Sequence, residues 1–258
     1  MSKCFTTRCF KIKALILAAG YATRLGELTK NKSKPLLEVA NKPIVQHIAD
    51  KVQQIPDIDE IFVVTNNKFY QDFLDWKNSY ESSLKITIVN DNTVSNDDRL
   101  GAVGDIHFVI ENMKVRDDLL VIAGDNLFGF SLPSFVDYFT ERENKSIVAF
   151  KDLQDPLKVK GRYGVGILHG SQVIDFEEKP QEPRSTLAAT ACYLFSRDDL
   201  YLVREVAEDL GCDAPGNLVK HLATKSEMHG FVFTDHWFDI GSLDQLEEAG
   251  KLYDSPQS

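Results

Sequence analysis

Cysteine is scarce in this chain. There are four in 258 residues, Cys4, Cys9, Cys192 and Cys212, and no two of them form a CxxC pair. No His cluster stands at zinc spacing either, so a zinc module and a disulfide framework are both disfavoured. Reduced thiols in a cytoplasmic protein are the expectation that remains. Long apolar runs are also missing: no segment approaches the ~18 residues of a membrane span. Positive charge is in deficit, with 29 Lys and Arg against 39 Asp and Glu and a formal net charge of -10. Nucleic acid is therefore a poor candidate partner, because neutralising its phosphates needs concentrated Lys and Arg. A local basic pocket in an acidic body stays compatible with this balance and would suit a small polyanion. The chain has no GxxxxGK[ST], and no GxGxxG opens a helix after the first strand. A P-loop and a Rossmann fingerprint are thus excluded.

What is present is a soluble composition, 43% hydrophobic and 26% charged, on a chain long enough to bury a full core. The N-terminus "MSKCFTTRCFKIK" is basic and "ALILAAG" is apolar, as in an export signal. That apolar run lies at the short limit of the ~7–15 residues of a signal core. Residues 1–12 are expected to form an extension ahead of the first strand.

Strand and helix patterns alternate through the first half. "KALILAA", "EIFVVT", "LKITIV" and "LLVIAGDN" read as buried strands, and "PIVQHIADKVQQI", "KFYQDFLDWKNSY" and "VGDIHFVIENM" as helices between them. This alternation predicts a mainly parallel sheet covered on both faces. From about residue 146 the strands "SIVAF", "YGVGIL", "QVIDFEEK" and "LAATACYLF" follow without long helices, and "HGSQ" reads as a hairpin turn. Helices return at "RDDLYLVREVAEDL" and "GNLVKHLATK", then a strand "MHGFVF" and a closing helix "SLDQLEEAGKLY". One domain over 13–253 is expected, with a nucleotide half at about 13–145, a more antiparallel half at about 146–253, and a flexible tail at 254–258.

Ligands of open α/β sheets bind at the carboxyl ends of the strands. The stretch "ILAAGYATRLGELTKNKSKPL" lies at that end of the first strand. Small residues from Ala18 onward allow backbone N–H groups to approach an anion, and Gly20 can take conformations barred to other residues. Arg24 offers a planar bidentate fork for phosphate, and Lys34 a point charge. On these residues alone, a phosphate loop and an ordinary strand-to-helix turn are both open.

The wording is more specific than the physics. "LAAGYATRLGELTKNKSKPLLEV" resembles the opening motif of the sugar nucleotidyltransferases, or NDP-sugar pyrophosphorylases, close to L-A-(A/G)-G-x-G-T-R-L…(S/P)-K-P-(L/M)-L-x-(V/I). It departs from that motif at Ala22, usually glycine, and at Glu38, often proline. Further motifs follow in the family's order: "RLGAVGDI" with Gly101, "AGDNLF" with Asp125, "RYGVG" with Tyr163 and Gly164, "FEEKP" with Glu178 and Lys179, and "HWFDIGSLDQLEEA" with Asp239. Each is weak alone; Asp125 and Asp239 could be turn residues and "EEKP" a solvated loop. Their conjunction carries the resemblance, from about Lys13 to Gly250.

The resemblance implies a Rossmann-like three-layer sandwich with a mixed, mainly parallel sheet, of the GT-A-like nucleotidyltransferase kind. It also implies a roster of roles. Leu17, Ala18, Ala19 and Gly20 would wrap a triphosphate, Arg24 would contact the departing phosphates, and Lys34 the reacting centre. Gly101 would lie against the base. Tyr163, Gly164 and Glu178 would hold the sugar and Lys179 its phosphate, while Asp125 and Asp239 would hold Mg²⁺. The implied substrates are an NTP and a sugar 1-phosphate, dTTP or UTP and glucose 1-phosphate by default, in the short form without a C-terminal β-helix. Family members are often homo-oligomers. The usual base-reading glutamine is absent from "VNDNTVSNDDRLGAVGDI", leaving Asn92 or Asp91 as substitutes, and "TACYLF" stands where T-G-x-Y is common. Two alternatives stay open: a catalytically silent NDP-sugar-binding regulator, and a cytidylyltransferase acting on a non-sugar phosphate.

Overall fold

The computed structural model describes residues 11–21, 31–209 and 214–254. The strand β1 (Ile12–Leu17) is the centre of the first half. It is followed by a one-turn 3-10 helix (Lys34–Leu36), the short hairpin β2 (Glu38–Val39) and β3 (Lys42–Pro43), and helix α1 (Ile44–Val52). Then come β4 (Ile58–Thr65), α2 (Tyr70–Ser79), β5 (Lys85–Asn90), α3 (Gly101–Asn112) and β6 (Asp118–Ala123). A short strand β7 (Asn126–Phe128) leads to α4 (Leu132–Glu141). The second half holds β8 (Ile147–Asp152), β9 (Val165–His169), β10 (Gln172–Glu177), β11 (Leu187–Phe195), α5 (Pro215–Lys225), β12 (His229–Phe233), β13 (Trp237–Asp239) and α6 (Leu243–Tyr253).

Nine strands form one sheet in the order β5-β4-β1-β6-β11-β8-β12-β10-β9. The first four are parallel, as the apolar strand–helix alternation predicts. β11 then runs antiparallel to β6 and β8, and an added β11–β9 pairing partly closes the second half. There β8 and β12 are the parallel pair among the described residues. The expected parallel register is therefore a property of the first half; tight connections such as the β9–β10 hairpin, with Gln172 opposite His169, dictate antiparallel pairing in the second.

Period-two alternation splits the core between the two faces of the sheet. Ala14 and Ile16 of β1 pack on one face with α1, α2 and α4. Leu15 packs on the other with α3 and α5. Helix α4 was not anticipated from the sequence. Ser131 caps it by accepting from the Ser134 amide at 3.3 Å, with a proline in the first turn and Phe135, Val136 and Phe139 on its buried face. The ribbon of β7 and β13 was not anticipated either, because three-residue strands are too short to show a period.

Candidate active site

The parallel strands deliver their carboxyl ends to a cavity of about 350 Å³. The chain leaves β1 through Ala18, whose amide still bonds to Val64 O at 2.8 Å. Buried Asn66 donates to Ala19 O at 2.8 Å and so fixes the start of the loop. Leu17, Ala18, Ala19 and Gly20 line the cavity. A Cβ added at Gly20 would meet nothing within 4 Å, and its φ is not left-handed. The expectation that this glycine exploits a barred conformation is thus corrected; it leaves open space above the backbone instead. Arg24 falls outside the described residues.

Lys34 opens the 3-10 turn, anchored by buried Pro35 and Leu36, and reaches across to Asp125, Nζ to Oδ2 at 3.1 Å. Both line the cavity. Asp125 stands just past β6, where Gly124 donates to Leu17 O at 2.8 Å. A Cβ at Gly124 would lie 2.6 Å from that same oxygen, so only glycine allows this crossing. The β7–β13 ribbon then brings the second acid close. Asp239 is the partner of Asn126, and Ile240 N donates to Asp125 O at 3.0 Å. Asn126 is held by Trp237 Nε1 at 2.6 Å and itself donates to Asp125 Oδ1 at 3.1 Å. Two residues 114 apart in sequence, Asp125 and Asp239, are in this way tied to adjoining backbone.

Tyr163 stacks obliquely on Trp237, with ring centroids 5.0 Å apart. Burial raises its phenol above the usual range, and the Asp239 charge adds to that. Glu178 and Lys179 follow β10 and are exposed, with Nζ and Oε1 3.9 Å apart. The Glu178 carboxylate lies against Gly164 and against Gly216 at the start of α5. Pro215 beside it lines the cavity, as do Ala191 and Tyr193 of β11. Tyr163, Gly164, Glu178, Lys179 and Asp239 are not among the residues that line the cavity.

The far end of the cavity is made by Arg99, Leu100, Gly101, Ala102, Asp105 and Ile106, at and within the first turns of α3. Asn92 is exposed at φ 66° and is not a lining residue; Asp91, one position earlier, takes that place. The turn after β5 explains the swap: Asn90 Oδ1 accepts the Asn92 amide at 2.9 Å, and Asp91 Oδ1 accepts the Thr93 amide at 2.7 Å. Asp105 was missed in the sequence. Its signal is an acid on the apolar face of "VGDIHFVI", between Val103 and Ile106, both buried.

Among the described residues no group of three or more His, Cys, Asp and Glu could hold a metal ion. A pair of carboxylates is nevertheless a suitable donor set for a hard cation that keeps water and takes phosphate oxygens. No helix among the described residues is long and apolar enough to cross a membrane.

A family model described as nucleotidyl transferase matches residues 13–255. The chain belongs to the nucleotidyl transferase family. Within that family it is 28% identical over 240 residues to the bifunctional protein GlmU of Methanocaldococcus jannaschii. That match covers 92% of this chain and 53% of the relative, so the chain spans about half the length of that curated relative. The fold is that of a Bacillus anthracis protein assigned as a glucose-1-phosphate thymidylyltransferase and crystallised with a sucrose, with TM-score 0.80, 24% identity and coverage of 96% and 97%. A UDP-glucose pyrophosphorylase complexed with UDP-glucose superposes with TM-score 0.78 at 21% identity, over 95% of this chain and 98% of that one.

Proposed function

We propose that this nucleotidyl transferase joins an NTP to a sugar 1-phosphate, giving an NDP-sugar and pyrophosphate. The observation that carries the reading is the cavity itself. It gathers the loop after β1, Lys34, Gly101 and Asp125 at the carboxyl ends of the parallel strands, where α/β sheets bind their ligands. The favoured NTP is dTTP or UTP and the default sugar is glucose 1-phosphate, on the strength of the motif resemblance.

The reaction is an in-line displacement. A phosphate oxygen of the sugar 1-phosphate forms the bond to the α-phosphorus, while the bond from that phosphorus to the pyrophosphate oxygen breaks. Two polyanions must meet, so positioning and charge neutralisation supply most of the catalysis. No general base is needed, because the phosphate monoester is already anionic near neutral pH. Leu17 to Gly20 offer backbone to the triphosphate. Lys34 neutralises charge at the reacting centre, and Arg24 stabilises the departing phosphates. Lys179 holds the sugar phosphate, and Glu178, with Tyr163 and Gly164, receives the sugar hydroxyls. Asp125 and Asp239 would hold Mg²⁺, which when bound offsets charge on the phosphate oxygens. In the free protein Lys34 sits on Asp125 at 3.1 Å, so a cation already balances that carboxylate before substrate arrives.

The test is a matrix of ATP, GTP, CTP, UTP and dTTP against a panel of sugar 1-phosphates, scored by pyrophosphate release. Magnesium-dependent release with at least one pair is expected. Silence across the whole matrix, with a folded protein, overturns the reading.

A further inference from the structure

The base end of the cavity contains two acids in direct contact. Asp91 and Asp105 are 5% and 6% exposed, both line the cavity, and their carboxyls face one another closely enough to share a hydrogen bond. Neither carboxylate can donate unless one carries a proton, so the pair must hold one between them. Asp91 has the donors. Its Oδ1 accepts from the Thr93 amide at 2.7 Å and from the Thr93 hydroxyl at 2.8 Å. Among the described residues Asp105 has none besides its partner, and its Oδ1 is buried without a hydrogen-bond partner. A charged oxygen there would bear the full cost of desolvation, whereas a neutral acid carbonyl bears much less. The proton therefore belongs on Asp105. Its carboxyl is accordingly raised to about 8, by burial first and then by the Asp91 charge and the bond to it.

The proton completes a longer chain. Thr93 has one hydroxyl hydrogen and gives it to Asp91, so the 3.0 Å contact with Tyr21 is donated by the phenol. Tyr21 is the residue next to Gly20, at the edge of the expected phosphate loop. Hydrogen bonds thus run from Tyr21 through Thr93 to Asp91, and Asp105 closes them from α3. Phosphate loop and base helix are joined by one shared proton.

We propose that Asp105 is a nucleotide-positioning residue: as a neutral acid bonded to Asp91 it fixes the base end of the cavity, and its ionisation weakens NTP binding. The inference rests on reading the cavity as a nucleotide site. Ionisation sets two like charges in contact in a buried wall, which breaks the link from α3 to the loop and adds a negative charge beside a polyanion. The titratable and charged groups described around the pair are Tyr21, Asp98, Arg99, His107 and Lys34, and of these Arg99 is the cation that shares the far end of the cavity with it. Tyr21 comes from the loop after β1, its phenol raised by burial and then by the charges of Asp91, Asp98 and Asp105. Asp98 and Arg99 precede α3 on its exposed approach, and Asp98 already accepts from Val94 N and Ser95 N. On α3 itself His107 is taken by Glu208 at 3.1 Å. Lys34 is occupied by Asp125.

The experiment measures KM and kcat from pH 7 to 9.5 for the native enzyme, Asp105→Asn and Asp105→Ala. The NTP used is whichever of the five gives the fastest pyrophosphate release. The native KM for NTP should rise at least about fivefold above pH 8, by proton linkage, with a smaller change in kcat. Asp105→Asn, whose amide still donates to Asp91 but does not titrate, should hold KM flat over the same range. Asp105→Ala should show a raised KM at every pH. Parallel pH profiles for the native enzyme and Asp105→Asn overturn the inference while leaving the activity standing. If no NTP reacts, the nucleotide reading fails first, and the pair is judged on thermal unfolding from pH 4 to 9. A native melting temperature that falls with pH, against a flatter Asp105→Asn curve, supports the shared proton; identical slopes refute it.

Discussion

At the scale of single residues, the site sets charges that are costly apart and balanced together. Lys34 and Asp125 meet at 3.1 Å with both side chains mostly covered. Removing one charged contact at a phosphoryl-transfer centre commonly costs ~10²–10³ in rate. Asp125→Asn is expected to lower turnover by that order with an unaltered circular dichroism spectrum, and Arg24→Ala likewise. Full magnesium-dependent turnover in purified Asp125→Asn would remove the metal role from that residue. Ala191 raises a different question. It lines the cavity at φ 50°, in a break in the register of β11. A left-handed alanine costs ~1–2 kcal/mol, partly offset by the entropy a glycine would lose. Ala191→Gly should therefore raise stability by up to ~1 kcal/mol in urea melts, whereas glycine at Ala188 of the same strand should lower it. Equal losses at both positions would show that the backbone at 191 is not strained.

At the scale of elements, the halves of the sheet are held by a contact far from the cavity. Asp118 opens β6 and is almost wholly buried, and Arg197, just after β11, reaches it through Nε at 3.1 Å and Nη2 at 3.0 Å. The Arg197 amide adds a third bond at 2.9 Å. Because β6 and β11 are the seam between parallel and antiparallel halves, Asp118→Ala is expected to cost ~1.5–3 kcal/mol by removing the shared acceptor of these three hydrogen bonds. A loss below ~1 kcal/mol in chemical denaturation would contradict this. Elements of this kind explain what the sequence could and could not disclose. The parallel strands announced themselves as continuous apolar runs, and α1 as apolar residues at helical spacing. The β11–β9 closure and the β7–β13 ribbon left no trace, since pairing partners and three-residue strands have no local signature. In the candidate site, motif spelling pointed to Lys34, Gly101 and Asp125, and all three line the cavity. It missed Asp105, whose meaning depends on a partner across the fold at Asp91, and it preferred Asn92 because an amide resembles the absent glutamine. Only the turn after β5 tells which of the two neighbours faces inward.

At the scale of the whole molecule, an acidic chain of net charge -10 is expected to bind two polyanions, so the cations must be concentrated where the substrates lie. Lys34 and, by resemblance, Arg24 and Lys179 meet that need, and the metal expected between Asp125 and Asp239 would supply the remainder. Binding of both substrates should consequently weaken as salt rises, that of the sugar 1-phosphate more, because Lys179 is more open to screening than Lys34. A KM for the NTP that is independent of ionic strength between 50 and 500 mM would tell against electrostatic assembly of the site. The most direct measurement is a crystal structure with an unreactive NTP analogue and Mn²⁺ in place of Mg²⁺. An anomalous peak between the carboxylates of Asp125 and Asp239, with the triphosphate over Ala18 to Gly20, is the predicted result. Manganese bound elsewhere, or a nucleotide outside the cavity lined by Lys34 and Gly101, would contradict the account.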